Sequence, residues 1–128
     1  MSPIDVSGIE THIKQRPHSV RGARQMQDML IPSMSLIGER IGQVPPGAAQ
    51  SLAAIRAALA EEFGADATCP VTTQRHLKAI AEAAVVGHAA GASNIVPFWR
   101  VVDPDTPNAA RLAGGRDFIL LRRAEEGF

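Results

Sequence analysis

The chain of 128 residues contains one cysteine, no tyrosine, one tryptophan and no excess charge of either sign. The single cysteine, Cys69, excludes an intramolecular disulfide and fits a reducing compartment. No apolar run approaches the roughly 20 residues that a membrane-spanning helix needs, and the opening residues lack the basic and apolar regions of a signal peptide. We therefore expect one cytoplasmic domain with no membrane association.

The charge balance bears on the class of partner. Thirteen basic residues are matched by thirteen acidic ones. A strong, sequence-independent nucleic-acid binder usually carries a basic excess, so the balance counts against that class. A DNA-binding surface, if the chain has one, must come from the local arrangement of its charges.

The common catalytic signatures are also missing. The sequence has no Gly-rich phosphate loop, no serine nucleophile elbow and no paired-carboxylate motif. Its histidines, His12, His18, His76 and His88, show no metal-ligand spacing with Cys69 or with acidic residues. The sequence therefore predicts no metal site and no cofactor.

Residues 1–30 show poor apolar periodicity and are interrupted by Pro3 and Pro17. This composition predicts a flexible N-terminal arm. The arm holds several basic side chains, which would either contact phosphate or belong to a solvated tail. They are Lys14, Arg16, Arg21 and Arg24, together with His12 and His18.

Residues 31–128 are predicted to form the folded domain, which begins with three helices. Ser33 or Ser35 is the expected N-cap of the first, which Pro45, Pro46 and Gly47 stop. Ser51 is the expected N-cap of the second, whose apolar residues recur on one face. Thr72 or Thr73 is the expected N-cap of the third, over residues 74–90. The inward side chains are Leu36, Ile37, Ile41 and Val44, then Leu52, Ile55, Leu59 and Phe63, then Leu77, Ile80, Ala84 and Val85.

The pattern changes after residue 94. Residues 95–102 are rich in β-branched and aromatic side chains and predict a strand, or a turn followed by a strand. Residues 103–108 predict a loop, residues 112–115 a short strand or turn, and residues 117–126 a terminal helix. The predicted fold is mostly α with a small β hairpin: a winged-helix-like three-helix core plus a C-terminal helix. In such a fold the third helix reads DNA and the hairpin is the wing.

Residues 44–128 resemble the C-terminal domain of the O6-alkylguanine-DNA alkyltransferase family, whose members repair DNA. The resemblance is carried by the Val-Pro-Pro-Gly turn at 44–47, the glycine pair at 114–115, the closing helix over 118–127 and, most specifically, Asn-Ile-Val-Pro-Phe-Trp-Arg-Val-Val at 94–102. The segments 29–32, 68–73, 97–102 and 125–127 are similar to a bacterial group placed in the same superfamily. The resemblance implies that the helix over 74–84 is the DNA-reading helix.

One departure from the family pattern decides the expected activity. The family's active-site segment has cysteine and histidine after the proline, because alkyl transfer needs a thiolate activated by a base. Phe98 and Trp99 occupy those positions here. The chain therefore resembles the alkyltransferase-like proteins, in which tryptophan replaces the cysteine and alkylated DNA is bound but not repaired. It differs from them in placing phenylalanine there, with tryptophan one residue later.

The candidate DNA-contacting residues lie in two segments. The start of the third helix offers free amides and side chains suited to phosphate and base edges. In the second segment, Trp99 would either stack on a flipped base or anchor the core, and Arg100 would either pair with phosphate or make a structural hydrogen bond. The full set is Thr72, Thr73, Gln74, Arg75, His76, Lys78, Phe98, Trp99 and Arg100.

Three functions are compatible with these features. The first is a noncatalytic protein that binds double-stranded DNA. The second is a protein-interaction module that keeps the fold and binds a protein partner, which the zero net charge favours. The third is a small thiol enzyme using Cys69, for which His76, seven residues later, is the nearest base in sequence.

Overall fold

A computed structural model describes residues 8–20 and 22–128. Two antiparallel strands open this part of the chain, β1 (His12–Val20) and β2 (Ala23–Ile31). They pair along their whole length, from His12 opposite Ile31 to Val20 opposite Ala23, and Gly22 at the turn has a φ of 80°. The sequence predicted a flexible arm over residues 1–30, and most of the described residues of that range form a two-stranded ribbon. Residues 1–7, Arg21 and the Arg24 side chain lie outside the described part.

The base of this hairpin is built into the domain, whereas the rest of β1 is exposed. Leu30 and Ile31 are buried, and side chains 12–18 are all exposed. A short third strand, β3 (Ala67–Thr68), pairs in parallel with Met29 and Leu30 and completes a sheet of order β1-β2-β3. Pro17 is tolerated because β1 is an edge strand, where a missing N–H breaks no central ladder.

The first two helices agree with the sequence prediction. Helix α1 (Met34–Gly42) begins after Ser33, whose hydroxyl accepts the Leu36 amide at 3.1 Å. Helix α2 (Leu52–Glu62) begins after Ser51, whose hydroxyl accepts the Ala54 amide at 3.0 Å. Each cap satisfies an amide that has no partner within its helix. The prediction of Ser33 and Ser51 as N-caps is confirmed.

The third helix is longer than its apolar pattern indicated. Helix α3 (Pro70–Ala89) has Cys69 as its N-cap, and the predicted caps Thr72 and Thr73 lie inside its first turn. Pro70 fits the first helical position, where no intrahelical amide bond is lost. The predicted inward residues Leu77, Ile80 and Ala84 are buried, and α3 packs against α1.

The predicted strand over 95–102 is wrong. Phe98–Arg100 form a 3₁₀ turn, and no residue of 95–102 joins the described sheet. The reason lies in burial: Phe98, Trp99, Val101 and Val102 are all buried. A strand of this kind alternates inward and outward side chains, whereas this segment directs almost all of its side chains into the core.

Two helices complete the chain. Helix α4 (Pro107–Arg111) begins in part of the predicted loop, and helix α5 (Gly115–Glu125) corresponds to the predicted terminal helix. Within the described ranges the protein is therefore a small α/β domain of five α-helices and one three-stranded sheet. The wing expected after α3 is not there, and the hairpin is N-terminal instead. No helix in these ranges is long and apolar enough to span a bilayer.

Candidate nucleic-acid interface

Phe98 and Trp99, which the sequence resemblance places where the alkyltransferase family has cysteine and histidine, are core residues in the structure. Phe98 is fully buried and Trp99 is 7% exposed. The Phe98 ring stacks on Phe118 with centroids 5.7 Å apart, and Trp99 meets both rings edge to face. Both rings are packed into the core, which agrees with the core-anchor alternative for Trp99 and leaves little of either ring at the surface.

Arg100 holds two distant segments together. Its guanidinium donates to the Glu126 carboxylate, with Nη2 to Oε2 at 2.6 Å, and to the Val44 carbonyl at 2.8 Å. The Gly47 amide approaches the same carboxylate at 3.3 Å. Both charged side chains are mostly buried, at 12% and 14% exposure. Arg100 thus makes structural hydrogen bonds, which is one of the two alternatives that the sequence left open for it.

The pKa of Glu126 lies below its usual range. The hydrogen bonds from Arg100 are the largest cause, and they outweigh burial, which acts in the opposite direction. The Trp99 indole N–H also lies close enough to lower this pKa, although it does not reach hydrogen-bond geometry. On the neighbouring turn, Arg123 donates to the carbonyls of Trp99 and Val102 at 2.7 and 2.8 Å. The segment most similar to an active site is therefore fixed by internal bonds.

Three of the predicted residues at the start of α3 are turned towards the protein. Thr73 is fully buried and donates its hydroxyl to the Cys69 carbonyl at 2.8 Å. His76 is 2% exposed, and its Nε2 lies 2.8 Å from the Pro32 carbonyl oxygen, to which it donates. The Thr72 amide and hydroxyl both donate to the Cys69 sulfur. Thr73 and His76 thus bond to the chain itself and are not presented on the exposed side of α3.

The Cys69 thiol has a pKa below its usual value. Burial raises this pKa. Hydrogen bonds from the Thr72 hydroxyl and the first amides of α3, together with the charge of Arg16, lower it by more than burial raises it. The thiol is buried, and the ring nitrogen of His76 bonds Pro32 instead. The contacts that lower the pKa of Cys69 are mostly those of its position as the N-cap of α3.

The remaining α3 residues do present polar groups outward. Arg75 and Lys78 are exposed, whereas Gln74 is half-buried and donates to the Asn108 side chain at 2.7 Å. Arg75 lies at an open groove of about 550 Å³ between α2, α3 and the segment after the 3₁₀ turn. The groove is lined by Leu52, Arg56, Pro70, Val71, Gln74, Arg75, Leu77, Val101 and Asn108, none of which is acidic.

Arg56 is the groove residue that sequence reasoning missed. It is the single charged residue between Leu52 and Ala60, on an alanine-rich helix that was interpreted only by its buried stripe. Asn108 was missed because its segment was interpreted as a loop. The sequence shows that Arg56 is the one charge on this part of the helix. It does not show that Arg56 lies at the same groove as Arg75.

The charged side chains divide into two groups. The ion pairs found within 8–20 and 22–128 are Arg40–Glu62, Arg100–Glu126, Arg116–Asp105 and Arg122–Glu125. None of these pairs includes a basic residue of the hairpin, of the groove or of the first half of α3. Those residues are Lys14, Arg16, Arg56, Arg75 and Lys78. These five cations thus form no ion pair with a carboxylate of the described residues.

No three histidine, cysteine, aspartate or glutamate side chains converge on a metal-binding geometry in the described ranges. Comparison of the chain with protein-family models, with curated proteins and with solved structures found no match. The candidate interface therefore stands on the chemistry and placement of its own residues.

Proposed function

We propose that this protein is a noncatalytic binder of double-stranded DNA, with the exposed side of α3 and the adjoining groove as its contact surface. The observation that carries the proposal is that Arg56 and Arg75 line one groove and Lys78 is exposed three residues further along α3, and none of the three forms an ion pair with a carboxylate of the described residues. Lysine and arginine that neutralise phosphates release condensed counterions, which gives a salt-dependent affinity.

The architecture supports this use of α3. Three helices in succession, with the third exposing cationic side chains, follow the arrangement in which a helix-turn-helix protein presents its recognition helix. This is the winged-helix-like interpretation of the sequence, with α3 as the DNA-reading helix and no wing after it. The resemblance to alkyltransferase-like proteins, which bind DNA without repairing it, agrees with the same proposal.

The burial of Phe98 and Trp99 bears on whether the protein prefers damaged DNA. Because these rings pack against Phe118 inside the core, they offer no platform for an extruded base. We therefore expect equal affinity for a plain duplex and for the same duplex carrying O6-methylguanine. A clear preference for the lesion would contradict this part of the proposal.

The experiment compares two single substitutions by fluorescence anisotropy on a labelled duplex. Arg75→Gln removes an unpaired cation and should weaken binding several-fold, with a salt slope shallower by about 1. Arg116→Gln removes the same charge from an arginine that already pairs with Asp105, so it should change affinity far less. Equal effects of the two substitutions would show that only net charge matters and would contradict the assigned surface.

The second candidate function is a protein-interaction module. It is favoured by the face of the hairpin opposite Lys14 and Arg16. Ile13 and Met26 are 47% and 59% exposed and share one face of the sheet with Pro17. Exposed apolar groups on one face are typical of protein contacts. Two results together would favour this function. The protein would give no anisotropy change with DNA, and a specific partner would still be recovered with it after nuclease treatment.

A further inference from the structure

Alternation along β1 gathers its basic side chains on one face of the hairpin. Successive side chains of a strand point to opposite faces, so His12, Lys14, Arg16 and His18 share one face. Their partners on β2 are Ile31, Met29, Gln27 and Gln25, none of which is acidic. We name this surface the basic hairpin face.

The acidic residue of the hairpin lies on the other side. Asp28 pairs with Gln15, which alternates with Lys14 and Arg16. The Asp28 amide also donates to the Asp66 carboxylate at 2.8 Å, which keeps that second carboxylate beside β2. Lys14 and Arg16 are exposed and take part in none of the ion pairs found in the described ranges. Their charges are therefore available to an anionic ligand.

The basic hairpin face lies towards the start of α3. The Cys69 amide donates to the Leu30 carbonyl at 2.8 Å, which ties the first residue before α3 to β2. The charge of Arg16 is close enough to the Cys69 thiol to act on it. Arg75 stands less than two helical turns beyond Cys69 on α3. The strand that pairs with β1 is thus hydrogen-bonded to the residue directly before α3, the helix that carries Arg75 and Lys78.

The length of the hairpin matches that of a short stretch of DNA duplex. Nine residues per strand at roughly 3.3 Å each give a ribbon of about 30 Å, which is close to one turn of B-DNA. A two-stranded ribbon also fits against a duplex, whose major groove is about 12 Å wide. Charge, length and position therefore all favour a duplex as the ligand.

We propose that the basic hairpin face is a second phosphate-contacting surface, which lies along the duplex whose other contacts are made by α3. This inference rests on the proposed function. It adds the hairpin to the DNA-contacting surface that α3 forms. Lys14 and Arg16 bind phosphates, and Gln25 and Gln27 supply neutral donors and acceptors between them.

The test measures the salt slope of duplex binding for four proteins: wild type, Lys14→Gln and the two double substitutions described next. Wild type is compared with the double substitution Lys14→Gln/Arg16→Gln, which should lower the magnitude of the slope by about 2 and weaken binding at least tenfold at low salt. The matched control is Lys14→Gln/Gln15→Lys, which keeps the net charge and moves one cation to the opposite face. It should behave like Lys14→Gln alone. Thermal unfolding of each variant checks that the domain remains folded.

The possible failures are distinguishable. If the double substitution leaves slope and affinity unchanged while Arg75→Gln reduces them, the hairpin inference is wrong and the proposed function stands. Wild-type affinity in the Lys14→Gln/Gln15→Lys protein would also overturn the inference, because binding would then depend on net charge and not on the face. If wild type itself binds no duplex, both proposals fail together.

Discussion

The Arg100 guanidinium contacts groups from two distant parts of the chain, the Glu126 carboxylate and the Val44 carbonyl. The Glu126 carboxylate in turn approaches the Gly47 amide. A charge removed from water in this way is stable only while its partners are present. The arginine of the family-like segment thus stabilises the domain.

We expect Arg100→Gln to lower the free energy of unfolding by about 3 kcal/mol, because it leaves a mostly buried carboxylate without its partner. Urea unfolding at neutral pH measures this. Arg116→Gln is the control, since its pair with Asp105 is 51% and 74% exposed and should contribute less than about 1 kcal/mol. Equal losses in the two variants would contradict the structural role of Arg100.

The lowered pKa of Glu126 predicts an acid-dependent contribution to stability. A carboxyl whose pKa is lower in the folded state stabilises that state above its ordinary pKa of about 4.3, and the contribution is lost as pH falls below that value. Wild type should therefore exceed Glu126→Gln in stability at pH 7, and the difference should shrink below about pH 4. A difference that stays constant down to pH 3 would show that the carboxylate charge is not what stabilises the fold.

Sequence reasoning named the residues of both candidate segments but could not determine their orientation. Arg75 and Lys78 are exposed as a DNA-contacting role requires, and His76, between them, is buried. The spacing that puts Arg75 and Lys78 on one side of a helix was readable from the chain. The bond from His76 to Pro32 joins residues 44 positions apart, and no local pattern encodes it.

At the scale of elements, helices were predictable where a serine cap preceded an apolar stripe, as for α1 and α2. The hairpin was not predictable from that signal. Its strands are mostly polar and β1 is exposed on both faces over residues 12–18, so the apolar alternation that indicates a half-buried strand is weak. The reverse error occurred at 95–102, where β-branched residues form a buried irregular segment because tertiary packing overrides strand propensity.

The packing of α3 on that segment is close enough to test. A Cβ added at Gly87 would lie 2.8 Å from Ile95 Cγ2, whereas one added at Gly42 meets nothing within 4 Å. We expect Gly87→Ala to destabilise the protein by about 1 kcal/mol, since overpacking outweighs the better helix propensity of alanine. Gly42→Ala should be neutral or stabilise by up to about 1 kcal/mol. A stabilising Gly87→Ala would show that α3 and Ile95 do not pack this closely.

At the scale of the whole molecule, composition and structure lead to different expectations about partners. Zero net charge counted against DNA binding. In the structure, four arginines of the described ranges are paired with carboxylates, whereas no ion pair of these ranges includes the cations of the hairpin, the groove or the first half of α3. Charge pairing depends on tertiary contacts, so it could not be derived from the sequence.

The most direct measurement is the salt dependence of wild-type binding to a plain DNA duplex, followed by anisotropy between about 50 and 200 mM salt. If Lys14, Arg16, Arg56, Arg75 and Lys78 neutralise phosphates, the logarithm of the association constant should fall with the logarithm of salt concentration at a slope of about −3 to −5. Absence of saturable binding at micromolar protein, or an affinity that does not change with salt, would contradict a surface of unpaired cations that binds DNA.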